Sequence, residues 1–286
     1  HRGYEGLFNG EIDLLNARSV GGIISRGGTI LGTARSPAFM TEGGRREALR
    51  NLNKRGIEGL VVIGGNGSLA GAHALHQMGF PVIGVPGTID NDLFGTDMCI
   101  GVDTALNTVL EAVDKIKDTA SSHQRAFLIE VMGRDCGYLA LMSGIAGGAE
   151  HVLVPEVSCE LEEVAQILEQ AYVRGKAHCI VMVAEGAHPT TSEVADYLTK
   201  HRDRLGFSVR VTVLGHVQRG GSPTAFDRLL ATRLGCASVK ALYEGQSDVM
   251  VGLIGNKIVT TPLPEVLAKP KEIDLEFLRL AGILAK

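Results

Sequence analysis

The sequence predicts an α/β protein built as two Rossmann-like three-layer α/β/α domains with largely parallel sheets. Short apolar runs alternate with segments whose apolar residues recur at helical spacing. Several of the runs are almost wholly apolar, as strands covered on both faces must be. Thirty-seven glycines against nine prolines punctuate the strand-to-helix joints. In order, IEGLVVIGG (57–65) reads as a strand, SLAGAHALHQMG (68–79) as a helix closed by Gly79, FPVIGVPGTI (80–89) as a strand and VDTALNTVLEAVDKIKD (102–118) as a helix. Further strands are predicted near 126–132, 151–155, 178–184, 209–217 and 250–254, with helices at 160–174, 191–205 and 225–244. A chain of 286 residues suits two such domains.

Charge and composition narrow the function classes. A net charge of −4 without a Lys/Arg cluster argues against nucleic acid or a membrane surface as partner. No apolar run approaches the roughly 18 residues of a membrane span, and no signal peptide opens the chain. Five cysteines, odd in number and without C-x-x-C pairing, read as reduced, buried, small apolar residues of a cytoplasmic protein. The opening HRGYEGLFNG reads as the middle of a domain, so an upstream segment is expected.

In parallel sheets ligands sit beyond the carboxyl ends of strands, where the polar clusters of this chain fall. GGNGS (64–68) is either a tight strand-to-helix turn or a phosphate cradle of free amides at a helix start; it is neither G-x-G-x-x-G nor a P-loop. PGTIDND (86–92) places Asp90 and Asp92 at the next strand end, with Asp97 beyond. One carboxylate there would suit a hydroxyl proton and another Mg²⁺, although Asx turns use the same residues. Arg134 in VMGRDCG, Arg125 in SSHQR, and Arg210, His216 and Arg219 in VRVTVLGHVQRGG supply donors for anionic oxygen.

GGNGS, PGTIDND, SSHQR, VMGRDCGYLA, AEG and VLGHVQRGGSP, in this order over nearly the whole chain, resemble the phosphofructokinase family, bacterial ATP-dependent type. The resemblance implies transfer of the ATP γ-phosphoryl group to the 1-hydroxyl of fructose 6-phosphate. It implies a larger nucleotide-binding domain (1–101 plus 218–268) and a smaller sugar-phosphate domain (102–217 plus 269–286). Asp90 would be the base, with Thr88 and Ile89 beside it, Asp92 would place Mg²⁺, and Arg134 would stabilise the transferred group. Met132, Gly133 and Glu185 would line the sugar site, His216 and Arg219 would reach the 6-phosphate, and Val217 and Gln218 between them would also bind the substrate. Arg125 and Arg210 resemble arginines lent by a neighbouring subunit, which implies a homotetramer.

Tyr4, Arg35, Ser36, Gly65, Asn66, Gly67, Ser68 and Gly71 match the ATP positions, with Asn66 also at the metal. Pyrophosphate-using members carry Asp in place of Gly67 and Lys in place of Gly87, so ATP is the expected donor. Asn66 stands where an aspartate is usual, which predicts weakened metal binding. An effector site for ADP or phosphoenolpyruvate is implied at Lys117, Gly148, Glu150, Arg174, Lys176 and His178, with Ala17 in place of a usual arginine and Arg18 adjoining. A pyrophosphate-dependent enzyme and a non-catalytic sugar-phosphate-binding subunit are the alternatives.

Overall fold

The computed structural model describes residues 1–284. In chain order its elements are α1 (Gly3–Asn9), α2 (Glu42–Lys54), β1 (Leu60–Gly64), α3 (Asn66–Gln77), β2 (Val82–Pro86), α4 (Val102–Ser122), β3 (Arg125–Val131), α5 (Tyr138–Ala146), β4 (His151–Leu153) and α6 (Leu161–Val173). There follow β5 (Cys179–Ala184), α7 (Thr191–Lys200), α8 (Arg202–Leu205), β6 (Ser208–Val213), α9 (Ala225–Tyr243), β7 (Val249–Ile254), β8 (Lys257–Pro262), α10 (Leu263–Ala268) and α11 (Glu276–Leu284).

The chain divides into two compact units, one of residues 1–88, 92–101 and 222–271, the other of 89–91, 102–221 and 272–286. Residues 218–221 therefore go with the second unit and 269–271 with the first, a few residues away from the expected boundaries. Residues 89–91 also join the second unit, away from their sequence neighbours.

The first unit holds a four-stranded sheet in the order β1-β2-β7-β8. Strand side chains alternate between faces. Ile83, Val85, Val251 and Leu253 accordingly bury one face under Leu230, Leu234 and Ala241 of α9. On the other face Gly84 lies under Leu69 of α3 and Leu263 of α10. Strand β8 pairs antiparallel with β7 through a two-residue turn at Gly255 and Asn256, a hairpin that apolar periodicity alone does not announce. Asp97 is tied to that hairpin: its carboxylate accepts from the Gly255 amide at 2.6 Å. This carboxylate is structural.

The second unit holds four parallel strands in the order β4-β5-β3-β6. Its longest helix, α4, turns Val102, Ala105, Val109 and Val113 inward at helical spacing and packs on β3 and α5. Helix α7 packs against β6 and opens on a capping box, in which Thr190 Oγ1 accepts from the Glu193 amide while the Glu193 carboxylate accepts from the Thr190 amide. The helix expected at 191–205 is two pieces, because α7 gives way at His201 and α8 ends at Gly206 in the left-handed region, φ 70°. The strand expected at 209–217 stops at Val213, and residues 215–219 form a 3-10 turn.

Candidate active site

In the first unit the two strand tips that carry GGNGS and PGTIDND are parallel neighbours. Gly64 pairs with Pro86, and the Gly87 amide donates to Gly64 O at 3.0 Å. Helix α3 begins at Asn66 directly after β1, with Gly65 extended at its start and no side chain capping it. The Ser68 and Leu69 amides donate to Gly65 O at 3.0 and 3.1 Å, whereas the Asn66 and Gly67 amides precede any carbonyl of their own helix and sit at the positive end of its dipole. A Cβ on Gly67 would meet nothing within 4 Å, so packing does not require glycine there. Thr88 faces Gly65: a Cβ on that glycine would lie 3.3 Å from the Thr88 Cβ.

Asn66 Nδ2 donates to Asp92 Oδ2 at 2.7 Å. The other carboxylate oxygen, Oδ1, is buried with no hydrogen-bond partner among the described residues. A buried carboxylate oxygen left without a donor is costly, and a cation would satisfy it. On the flank of α3 the Tyr4 hydroxyl donates to Ser68 O at 2.5 Å, and its ring stacks on Phe39 with centroids 4.0 Å apart. Burial pushes the Tyr4 hydroxyl well above its ordinary pKa. A Cβ on Gly71 would stand 2.5 Å from the Tyr4 ring, so glycine is what permits this approach. Tyr4, Ser68 and Gly71 are thus brought together, while the Ser36 hydroxyl accepts from the Phe39 amide at 3.4 Å and Arg35 is exposed.

In the second unit β3 and β5 end side by side, Val131 opposite Ala184. The loop leaving β3 is held in sparsely populated backbone, Gly133 at φ 146° and Arg134 at φ 52°. What holds it is Glu185, whose Oε1 accepts from the Gly133 amide at 3.2 Å and from the Arg134 amide at 2.8 Å. Gly186 allows the contact, since a Cβ there would lie 2.1 Å from Arg134 O. So aimed, Arg134 Nε stands 3.5 Å from Asp90 Oδ2. Asp90 is 6% exposed, between half-buried Ile89 and buried Asn91, and Asn91 turns the chain at φ 54°.

Gln218 is 1% exposed: its Oε1 accepts from the Met132 amide at 3.2 Å and its Nε2 donates to Gly215 O at 3.0 Å. Its side chain therefore positions Met132 and the turn at Gly215. His216, Val217 and Arg219 lie on the same 3-10 turn, all three exposed. Arg125 does not join this cluster. It is the first residue of β3, paired with Ser208, whereas Val131 ends the strand about 20 Å away. Arg210 lies near that opposite end on the edge strand β6, across from Phe127.

The expected effector residues also lie toward the amino ends of these strands. Lys176 Nζ bonds buried Glu150 at 3.0 Å, Glu150 Oε2 accepts from the Ile180 amide, and His178 Nδ1 meets Ser121 Oγ at 2.8 Å. The Lys117 ammonium is 3.7 Å from where a Gly148 Cβ would be, and Arg174 caps the end of α6.

A family profile described as Phosphofructokinase matches residues 1–242. The chain is 54% identical over 283 residues to the ATP-dependent 6-phosphofructokinase of Natranaerobius thermophilus, covering 99% of this chain and 88% of that one. The chain belongs to the phosphofructokinase family. It is also 55% identical to ATP-dependent 6-phosphofructokinase 1 of Thermus thermophilus over 285 residues, 99% of this chain and 88% of that protein. Among solved structures, phosphofructokinase from Saccharomyces cerevisiae superposes with a TM-score of 0.87 at 39% identity. That match covers 93% of this chain but only 40% of the yeast chain. A pyrophosphate-dependent phosphofructokinase from Marinobacter aquaeolei shares the fold at a TM-score of 0.81 and 25% identity, with 98% of this chain and 77% of that one covered.

Within this phosphofructokinase fold, sequence reasoning passed over Gly186 and Asn91, which shape the backbone around Arg134 and Asp90. Asn91 carried a signal, since asparagine tolerates the left-handed region better than most residues. The cysteines also depart from expectation: Cys99, Cys136 and Cys179 are buried, but Cys159 is only partly so and Cys236 is exposed.

Proposed function

We propose that this chain is an ATP-dependent 6-phosphofructokinase, transferring the γ-phosphoryl group of ATP to the 1-hydroxyl of fructose 6-phosphate to give fructose 1,6-bisphosphate and ADP. The observation that carries the reading is the Asp90–Arg134 pair, an acidic group fixed beside a guanidinium on a backbone strained to hold it. In this reading Asp90 accepts the hydroxyl proton, and Thr88 helps hold the acceptor. Arg134 offers its fork to the charge spread over the moving phosphoryl oxygens. Glu185 fixes Arg134 through two backbone amides and keeps its second oxygen for sugar hydroxyls. Met132 and Gly133 line the sugar, and His216, Val217 and Arg219 take the 6-phosphate, consistent with their exposure.

The nucleotide phosphates lie along Gly65 to Ser68 at the start of α3, with Tyr4, Arg35, Ser36 and Gly71 flanking. Open space at Gly67 is what an α-phosphate needs and an aspartate would fill. The first unit is then the nucleotide-binding domain and the second the sugar-phosphate domain. Asp92, with its unpaired oxygen, fits Mg²⁺, and Asn66 is the amide beside it. Such a cation would neutralise charge on the phosphate oxygens. Most of the catalysis is positioning and charge stabilisation.

Arg125 and Arg210 are too far along their strands to serve their own chain's sugar site, which supports lending them to a neighbour's site in a homotetramer. Lys117, Gly148, Glu150, Arg174, Lys176 and His178 form an effector site for ADP or phosphoenolpyruvate. The reading takes the enzyme to be cytoplasmic. No helix of the described residues is long and apolar enough to cross a membrane. Purified protein given fructose 6-phosphate, Mg²⁺ and either ATP or pyrophosphate tests the reading. Bisphosphate is expected with ATP; product with pyrophosphate alone, or with neither donor, refutes it.

A further inference from the structure

We propose that His151, Cys159 and Glu163 bind a zinc-class divalent cation, at a site apart from the phosphoryl-transfer residues. His151 opens the edge strand β4, Cys159 precedes α6, and Glu163 lies in the first turn of that helix. Their ligand atoms all lie within 4.8 Å of one another. Cys159 Sγ is 3.5 Å from His151 Nε2 and 3.7 Å from Glu163 Oε2.

Those separations are informative. A tetrahedral zinc ion with its usual bond lengths to sulfur, nitrogen and oxygen holds these donors roughly 3.5 Å apart. The sulfur-centred distances already match, and Glu163, the exposed member, keeps the remaining donor pair within 4.8 Å. Imidazole plus thiolate selects a borderline-soft ion over Mg²⁺, whose preference is all oxygen. The three side chains line a cavity of about 370 Å³ that also reaches Val157, Ile167 and Arg174, so a fourth position is left for water. As the metal binds, the Cys159 S–H bond breaks, its proton passes to solvent and a metal–sulfur bond forms.

The test uses the full chain, stripped with chelator and kept free of nucleotide. Zinc affinity is measured by competition with a chromophoric chelator, and Co²⁺ serves as the optical probe. One tight zinc per chain is expected, weakened by roughly ten-fold or more in Cys159→Ser and in His151→Ala. Cobalt-loaded wild type should show a thiolate-to-cobalt charge-transfer band that Cys236→Ser keeps and Cys159→Ser loses. A smaller loss of zinc affinity in Cys159→Ser, or no thiolate band in the wild type, overturns the site. The wild-type spectrum decides the matter even if a variant fails to fold.

Discussion

In the proposed reaction Asp90 is the residue on which the chemistry turns. It is buried beside a guanidinium held by its own loop, so it is oriented before any substrate arrives. Replacing it with serine keeps the pocket but removes the proton acceptor. We expect Asp90→Ser to lower kcat by roughly 10²-fold or more while the KM for fructose 6-phosphate changes little, as steady-state kinetics would register. Unchanged turnover would refute its role as base. Asn66 makes the opposite test. Its amide donates to Asp92, and an aspartate there would set two carboxylates against each other until a cation came between them. Asn66→Asp should lower the half-saturating Mg²⁺ concentration by roughly ten-fold, about 1.4 kcal/mol, and lower the melting temperature when Mg²⁺ is withheld. At this scale residue types at strand tips pointed to Asp90, Asp92 and Arg134, which the structure sets at those tips, whereas Glu185 was named only through the family resemblance. The buried place of Gln218 was not legible, because a buried amide and an exposed one read alike in a sequence until the carbonyl and amide they meet are known.

At the scale of elements, apolar runs located β2 and β5 because burial on both faces leaves no polar positions, while the exposed edge strand β6 was marked instead by its alternating valines. The antiparallel β8 escaped because its residues are only partly buried, so its apolar signal is diluted. The break between α7 and α8 also escaped, since helical spacing continues across it. That region carries a pH prediction. Arg204 and Tyr197 bond the Glu162 carboxylate on α6, and these hydrogen bonds lower its pKa to about 2. A carboxylate whose folded pKa is depressed adds stability above its ordinary pKa of 4.5 and loses it as pH falls toward 2. Glu162→Gln should therefore melt lower than wild type at neutral pH, with the gap closing in acid. The pair is well exposed, so the gap will be small. Melting curves from neutral pH into acid would show it, and a gap that widens in acid would contradict the assignment.

For the whole molecule, the two arginines that miss their own site make the sharpest prediction. Under the proposed sharing between subunits, Asp90→Ser leaves a chain without its base, and Arg210→Ala leaves one without the cation offered to a neighbour. Each homo-oligomer should be nearly inactive at low fructose 6-phosphate. Refolding the two together should restore activity, because a hybrid contains sites with an intact base facing an intact arginine. No recovery, with hybrids demonstrated by native electrophoresis, would mean that Arg210 does not complete a neighbour's site. Sequence motifs pointed to such sharing only through family resemblance. The geometry adds a physical reason: Arg210 sits on the edge strand β6, whose Val211 and Val213 are 44% and 59% exposed.

Strand β3 has Arg125 at its head and, just past its tail, the loop that aims Arg134. Hydrogen-bonded to β5 on one side and β6 on the other, it is a stiff link between its two ends. If Arg125 is lent across an interface as proposed, this single strand would gear a subunit to two reaction centres at once. Any displacement of it would then be felt in its own pocket and in its neighbour's together.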